Sequence, residues 1–290
     1  MYDNFIIKVD LDKCIQCRLC AIECPSRTAS RHEIRANQAS PHCDKCFHCY
    51  AICPEHAIQI AGVQEELVIG NPKLDYHTLL HFLKQRRSIR KFNQKPVSDQ
   101  FLNQLADAAK YSPTGGNAQE FSITTINNQE TRIELENAII NYYDRIIRML
   151  RFPIVRLFMK LFGDAKVKET AKDKEFFIKI EEIYSRMKKG EKNIFYDAPA
   201  VMLFHTSRLL PTALEDCILG AYNVALAAVS LGLGSCFVSL SQQAISSSRS
   251  IKKELGLPSS DQVHAVLVLG FPAVKYRRIP PRKEKNILFR

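Results

Sequence analysis

Eight of the ten cysteines in this 290-residue chain fall between residues 14 and 53, in two runs. Cys14, Cys17, Cys20 and Cys24 form the first and Cys43, Cys46, Cys49 and Cys53 the second; each is spaced C-x2-C-x2-C-x3-C and followed by proline, Pro25 or Pro54. Every cysteine of the second run lies 29 positions beyond its counterpart, so the segment is an internal repeat. Three thiolates two residues apart can wrap a short loop around one corner of an iron–sulfur cube, while a fourth ahead of proline points toward a second cube. Tetrahedral zinc is the alternative for paired CxxC, but it rarely uses three cysteines in CxxCxxC with Cys-Pro behind them. One-electron transfer through two 4Fe–4S clusters is the chemistry expected. His32, His42, His48 and His56 lie near these cysteines and read as surface or supporting groups, not ligands. Cys217 and Cys236 stand apart and read as small buried hydrophobes.

Three further pieces have suitable residue types. Arg86-Arg87-Ser88-Ile89-Arg90-Lys91-Phe92 is a basic cluster whose guanidinium forks match phosphate oxygens, although by itself it reads equally as a solvated basic face. Ser112-Pro113-Thr114-Gly115-Gly116-Asn117-Ala118-Gln119 pairs glycines that permit close backbone approach with amides that donate and accept. Leu231-Gly232-Leu233-Gly234-Ser235 follows a helix instead of a strand, so it is not the dinucleotide-binding fingerprint; the chain has no GxGxxG and no P-loop.

The elements that must position these pieces are legible in outline. FIIKVD and AIQI alternate as short strands around the cysteine repeat. Helices are expected over 74–87, with Leu79, Leu80 and Leu83 on one face, and over 98–111, capped by Ser98 with Phe101, Leu102, Leu105 and Ala109 as its stripe. The strand FSITTI follows, then a long helical stretch from about 130 to 192. After it come the strand AVMLFHT, an apolar helix over 215–231, the strand SCFVSL, a polar helix over 241–255 and the strand VHAVLVLG. This order predicts an α+β fold with a central mixed sheet behind a small ferredoxin-like domain. The domains expected are 1–62 and 79–290, with 63–78 as linker.

Composition narrows the class. With 46% hydrophobic and 24% charged residues the chain is neither collagen-like nor wholly disordered. The best candidate for a span, Ile218 to Leu233, has 16 residues, short of the roughly 20 that cross a bilayer, and suits a buried core helix. No integral membrane segment and no secretory signal are expected, and the cytoplasm is the expected location. The net charge of +11 lies entirely beyond residue 60, because residues 1–60 hold seven basic and seven acidic groups. No nucleic-acid-binding motif accompanies it, so no nucleic-acid partner is expected. Within it, Arg145 to Phe162 (RIIRMLRFPIVRLFMKLF) is both basic and strongly apolar, with Pro153 expected to break the helix. Alone it reads as a membrane-surface helix; the family that residues 79–290 resemble implies instead a lid or dimer contact.

About residues 1–62 resemble bacterial two-cluster ferredoxins. The resemblance implies that Cys14, Cys17, Cys20 and Cys53 hold one cluster and Cys43, Cys46, Cys49 and Cys24 the other. It also marks a departure, since Arg18 and Phe47 follow the second cysteine where many such ferredoxins carry a small residue.

About residues 79–290 resemble the nitroreductase family of flavoproteins. RRSIRKF, SPTGGNAQEF, YDAPAVMLF, the helix containing Asn223, GLGSCFVS and the tail GFPAVKYRRIPPRK stand in the family's order. The resemblance implies FMN held by Arg86, Arg87, Ser88 and Arg90, with Pro113, Thr114, Asn117 and Gln119 lining the ring. Phe237, Val238 and Ser239 would approach the ring through their backbone, and Arg282 would complete the phosphate site. Glu120 and Phe121 stand where the family often has Pro and Trp, which bears on the substrate side of the pocket. A homodimer is implied as well. The function expected is an FMN-dependent oxidoreductase reducing nitro compounds, quinones or similar small-molecule acceptors, with flavin-borne chemistry and no catalytic side chain. Its donor would be reduced ferredoxin or NAD(P)H. The alternative is an electron-transfer module serving a protein partner without turnover of its own.

Overall fold

The computed structural model describes residues 7–25, 43–60, 70, 73–162, 174–190 and 193–290. His32, His42, most of the expected linker and residues 163–173 of the expected helical stretch lie outside them. The chain divides into two compact units, one of Met1–Leu74 with Thr114–Ala118, the other of Asp75–Pro113 with Gln119–Arg290.

In the first unit, β1 (Ile7–Val9) pairs antiparallel with β2 (Ile58–Ile60), Ile7 opposite Ile60. Their alternation turns Ile7, Ile58 and Ile60 inward, against Val9, Phe47, Tyr50 and the half-buried Cys20, Cys43, Cys49 and Cys53. The four-residue helices α1 (Leu19–Ile22) and α2 (His48–Ala51) hold equivalent places in the two halves of the repeat.

The second unit is a four-stranded sheet between helical layers. Its strands are β3 (Ser122–Ile126), β4 (Ala200–Ser207), β5 (Gly234–Phe237) and β6 (Asp261–Gly270), in the order β3-β4-β6-β5. Each pair of these strands is antiparallel, and the sheet is mixed through a parallel bridge that Ser88 makes to Ser235. Buried on both faces, β4 is apolar nearly throughout: Val201 and Leu203 enter one core, Ala200, Met202 and Phe204 the other. A β-bulge at Phe204/His205 leaves His264 as the extra residue on β6. At the bulge His205 Nδ1 lies 2.7 Å from Asp261 Oδ2 and its Nε2 3.0 Å from Thr124 Oγ1, which ties β3, β4 and β6 together.

The helices are α3 (Tyr76–Gln85), α4 (Asp99–Lys110), α5 (Gln129–Leu150), α6 (Pro153–Phe162), α7 (Lys174–Lys188), α8 (Ala213–Ser230), α9 (Ser239–Ser247) and α10 (Arg249–Glu254). Ser98 caps α4 through Phe101 N, and Leu102, Leu105 and Ala109 are buried. Pro153 separates α5 from α6 by standing at the first helical position, where its missing N–H costs nothing. The expected strand over 235–240 is shorter, because Val238 leaves the sheet and Ser239 starts α9. The expected helix over 241–255 is two, broken at Ser248, whose Oγ caps α10 through Ile251 N. Among the described residues one helix, α8, is long and apolar enough to cross a membrane, yet its Cys217, Ala221, Val224 and Ala228 are fully buried in the core against the sheet and α4. Asn223 Nδ2 donates to Ala108 O of α4 at 3.4 Å.

Candidate redox and anion sites

The two cysteine runs share a backbone conformation as well as a spacing. Gln16 and Arg18 flank Cys17 with φ of 58° and 66°, and Lys45 and Phe47 flank Cys46 with 53° and 58°. Left-handed residues on both sides of the middle cysteine coil each CxxCxxC segment tightly enough to bring three thiols together. Burial raises the Cys20 thiol, opposed by its backbone hydrogen bond to Ala21, and neighbouring Cys14 and Cys17 raise it further. Burial pushes Cys49 up to about 11, and Cys43, Cys46 and Cys20 add to the rise. Thiolates crowded in this way cannot all carry charge without cations among them. The donor set, three sulfurs on each coil with a fourth ahead of proline, is the kind that suits a metal–sulfur cluster. Ala57 N donates to Cys53 Sγ at 3.2 Å. Thr114 and Asn117 fall in this same unit, where Asn117 Nδ2 donates to Lys45 O at 2.7 Å.

In the second unit the RRSIRKF segment runs along the edge of β5. Ile89 N donates to Ser235 O at 2.9 Å, and Asn93 N to Phe271 O at 2.9 Å, so the middle of the segment and the residue just after it are pinned. Its residues then part in two directions. Arg87 and Ile89 line a cleft of roughly 1060 Å³ shared with His81 and Lys84 of α3, Ser235, and Lys275, Arg277 and Arg278 of the tail. Arg86, Ser88 and Arg90 act instead on Cys236: burial raises that thiol, while the charges of Arg90 and Arg86 and a hydrogen bond with Ser88 pull it back. A positive field therefore reaches the buried start of β5.

A tyrosine not expected at the site completes this side. The Arg90 guanidinium stands 5.8 Å from the Tyr196 ring centroid. Tyr196 and Asp197 both have φ of 56°, a costly conformation for side chains of this size. The turn is held from α5, where Arg132 Nη1 donates to Ala198 O and Glu136 Oε1 accepts from Phe195 N at 2.8 Å. Asn193 Nδ2 donates to the Asp197 carboxylate. Burial raises the Glu136 carboxyl, with the Phe195 bond and Arg132 opposing it.

The remaining expected residues are more dispersed. Pro113, Gln119, Phe237, Ser239 and Arg282 are exposed and Val238 is buried. Arg282 is not among the residues lining the cleft, whose basic tail residues lie a few positions earlier. Phe121 packs on α8: a Cβ at Gly220 would come 2.7 Å from its ring, so Gly220 is the space that the aromatic residue needs. The one legible signal for the extra residues was the basic run Lys275, Arg277, Arg278.

A model of the nitroreductase family matches residues 83–271, and a model described as a 4Fe-4S dicluster domain matches residues 6–54. Among solved structures the chain is similar to a nitroreductase with bound FMN from Desulfitobacterium hafniense, at 22% identity and a TM-score of 0.54, covering 73% of this chain and 97% of that one. It is similar to another with bound FMN from Bacteroides fragilis, at 20% identity and 0.50, covering 72% and 98%. An FMN-dependent nitroreductase from Clostridium difficile matches at 18% identity and 0.50, covering 73% and 100%. At these identities the likeness is one of fold. No curated protein sequence matches the chain.

Proposed function

The chain belongs to the nitroreductase family with a 4Fe–4S dicluster domain at its N-terminal end, and from that membership we propose an FMN-dependent oxidoreductase that reduces nitro compounds, quinones or similar acceptors. The observation that carries this reading is the pairing, in one chain, of two cysteine coils of matched conformation with an arginine-rich segment anchored on β5. When bound, the clusters supply single electrons and FMN exchanges one or two, so together they join a one-electron donor to a two-electron acceptor.

The protein's own part is binding and electrostatics. Cys14, Cys17, Cys20 and Cys53 would hold one cluster and Cys43, Cys46, Cys49 and Cys24 the other. Arg86, Arg87, Ser88 and Arg90 would hold FMN at its phosphate and the polar edge of its ring, and Arg282 would complete the phosphate site. Guanidinium groups held beside a bound ring would favour negative charge on it. Pro113, Thr114, Asn117, Gln119, Phe237, Val238 and Ser239 would line that ring, in a homodimer. The donor in this proposal is a reduced ferredoxin or a similar one-electron carrier.

The test is anaerobic purification followed by iron, sulfide and flavin analysis, then rapid mixing. About eight irons and one FMN per chain are expected. Reduced ferredoxin should bleach the clusters before the flavin, and turnover with a nitro or quinone acceptor should follow. Eight irons without flavin would overturn the oxidoreductase reading. Flavin bleaching by NAD(P)H ahead of the clusters would overturn the choice of donor.

A further inference from the structure

Helix α6 and the turn before it carry a feature that the redox chemistry does not use. Phe152, Ile154, Leu157, Phe158, Leu161 and Phe162 are between 55% and 74% exposed. Four of them, Ile154, Leu157, Phe158 and Leu161, follow the spacing of a single helical stripe, which in a globular protein faces the core. Here the stripe is turned outward, and the Phe158 and Phe162 rings, 4.7 Å apart, extend it to the end of the helix.

Charge decides what such a face can meet. Residues 145–162 contain Arg145, Arg148, Arg151, Arg156 and Lys160 and no carboxylate. Among the described residues Asp144 pairs with Arg148, and Glu181 with Arg151 at 3.3 Å; both anions lie outside the segment, whose own sequence is purely cationic. A symmetric contact with a second copy would set these cations against themselves, with no acidic residue in the segment to answer them. An anionic surface answers all of them at once.

We propose that α6 docks the protein on an anionic lipid bilayer, its phenylalanine and leucine side chains in the boundary between headgroups and acyl chains. Ten residues make a helix of about 15 Å, half of what a span requires but ample for lying in the interface. The turn that precedes the helix is tied down: Tyr184 of α7 donates to Asp144 of α5, and Arg151 donates to Glu181 of α7. The proposal is independent of the flavin chemistry, because its test reads sedimentation and not turnover.

The full-length protein with its cofactors is mixed anaerobically with vesicles of phosphatidylcholine alone, or with about one-third phosphatidylglycerol, and centrifuged. Expected is partitioning at least about tenfold stronger onto the anionic vesicles, abolished near 1 M salt, where the Debye length falls to about 3 Å. Leu157→Ser/Phe158→Ser changes two residues outside the described core clusters, and should lower partitioning about tenfold with iron content and elution volume unchanged. Arg145→Glu should weaken binding to anionic vesicles alone, and keeps the test intact if the double variant fails to fold. No partitioning onto anionic vesicles would overturn the proposal, as would partitioning that survives both variants. Conversion of a dimer to a monomer by Leu157→Ser/Phe158→Ser would also overturn it, by assigning the face to a second copy.

Discussion

Ile89 lies directly over the α-carbon of Gly234: a Cβ on Gly234 would come 2.5 Å from Ile89 Cγ1 and 2.8 Å from its Cβ. The contact is with the root of the isoleucine side chain, which cannot swing away as a flexible tip would. The arginine segment and β5 are therefore fitted together through a missing side chain.

Gly234→Ala should push Ile89 off β5, break the Ile89 N to Ser235 O bond and displace Arg86, Ser88 and Arg90. A loss of about 1–3 kcal/mol is expected from the overpacking. Thermal melts and flavin content per chain check it. Stability lost with flavin content unchanged would mean that the arginines are not flavin ligands.

Arg18 and Phe47 occupy equivalent left-handed positions but should respond to glycine with opposite signs. Arg18→Gly removes a strain of roughly 1–2 kcal/mol and should stabilise the iron-loaded domain. Phe47 packs on Ile7, Ile58 and Ile60, so in Phe47→Gly the lost burial outweighs the relieved strain. The check is the rate of cluster loss in denaturant for the two variants.

His264 Nε2 is buried without a hydrogen-bond partner among the described residues, and burial lowers the imidazole pKa, with Glu215 pulling weakly the other way. The unfolded chain takes up a proton near 6.5 and the folded chain resists it. Stability should thus be full above that pH and fall as the solution is acidified toward the lower folded value. His264→Leu should flatten this part of the profile, leaving its Tm a few degrees less sensitive between pH 7.5 and 5.5. Comparison at each pH with the parent chain cancels any loss of clusters common to both.

Cys217 and Cys236 should be inert to alkylation. Burial pushes Cys217 up to about 12, reinforced by Asp216 and Asp261, and burial also raises Cys236. With clusters intact at pH 8, peptide mass spectrometry should find neither labelled until denaturant is added. Rapid labelling of Cys236 would place it at an open surface, against the burial described above.

The sequence is most informative where chemistry and spacing coincide. The cysteine repeat, the Ser98 cap and the buried strand β4 are read directly, because each depends on residue type at short range. Leu79 and Leu83 show the limit: their spacing marks the helix α3 correctly, yet they are 40% and 37% exposed, since periodicity reports a face and not what covers it. The turn at Tyr196 and Asp197 is set from α5, more than fifty residues away, and no local pattern announces it. The break at Ser248 lay in a run of serines, each able to cap a helix; only the packing of Ile251 selects one.

The bulge has a further consequence, for length variation. Pairing resumes with His205 opposite Val263 after Phe204 opposite Ala265, so the ladders on either side of His264 are already in phase. A chain one residue shorter at this point would keep every other β4–β6 partner, and Val263 would still enter the same core as Val266 and Val268. A deletion inside a central strand usually reverses the faces of all that follows. Here it would remove only the added twist and the orphaned nitrogen, which makes position 264 the one place in β6 where the sheet tolerates a change of reading frame.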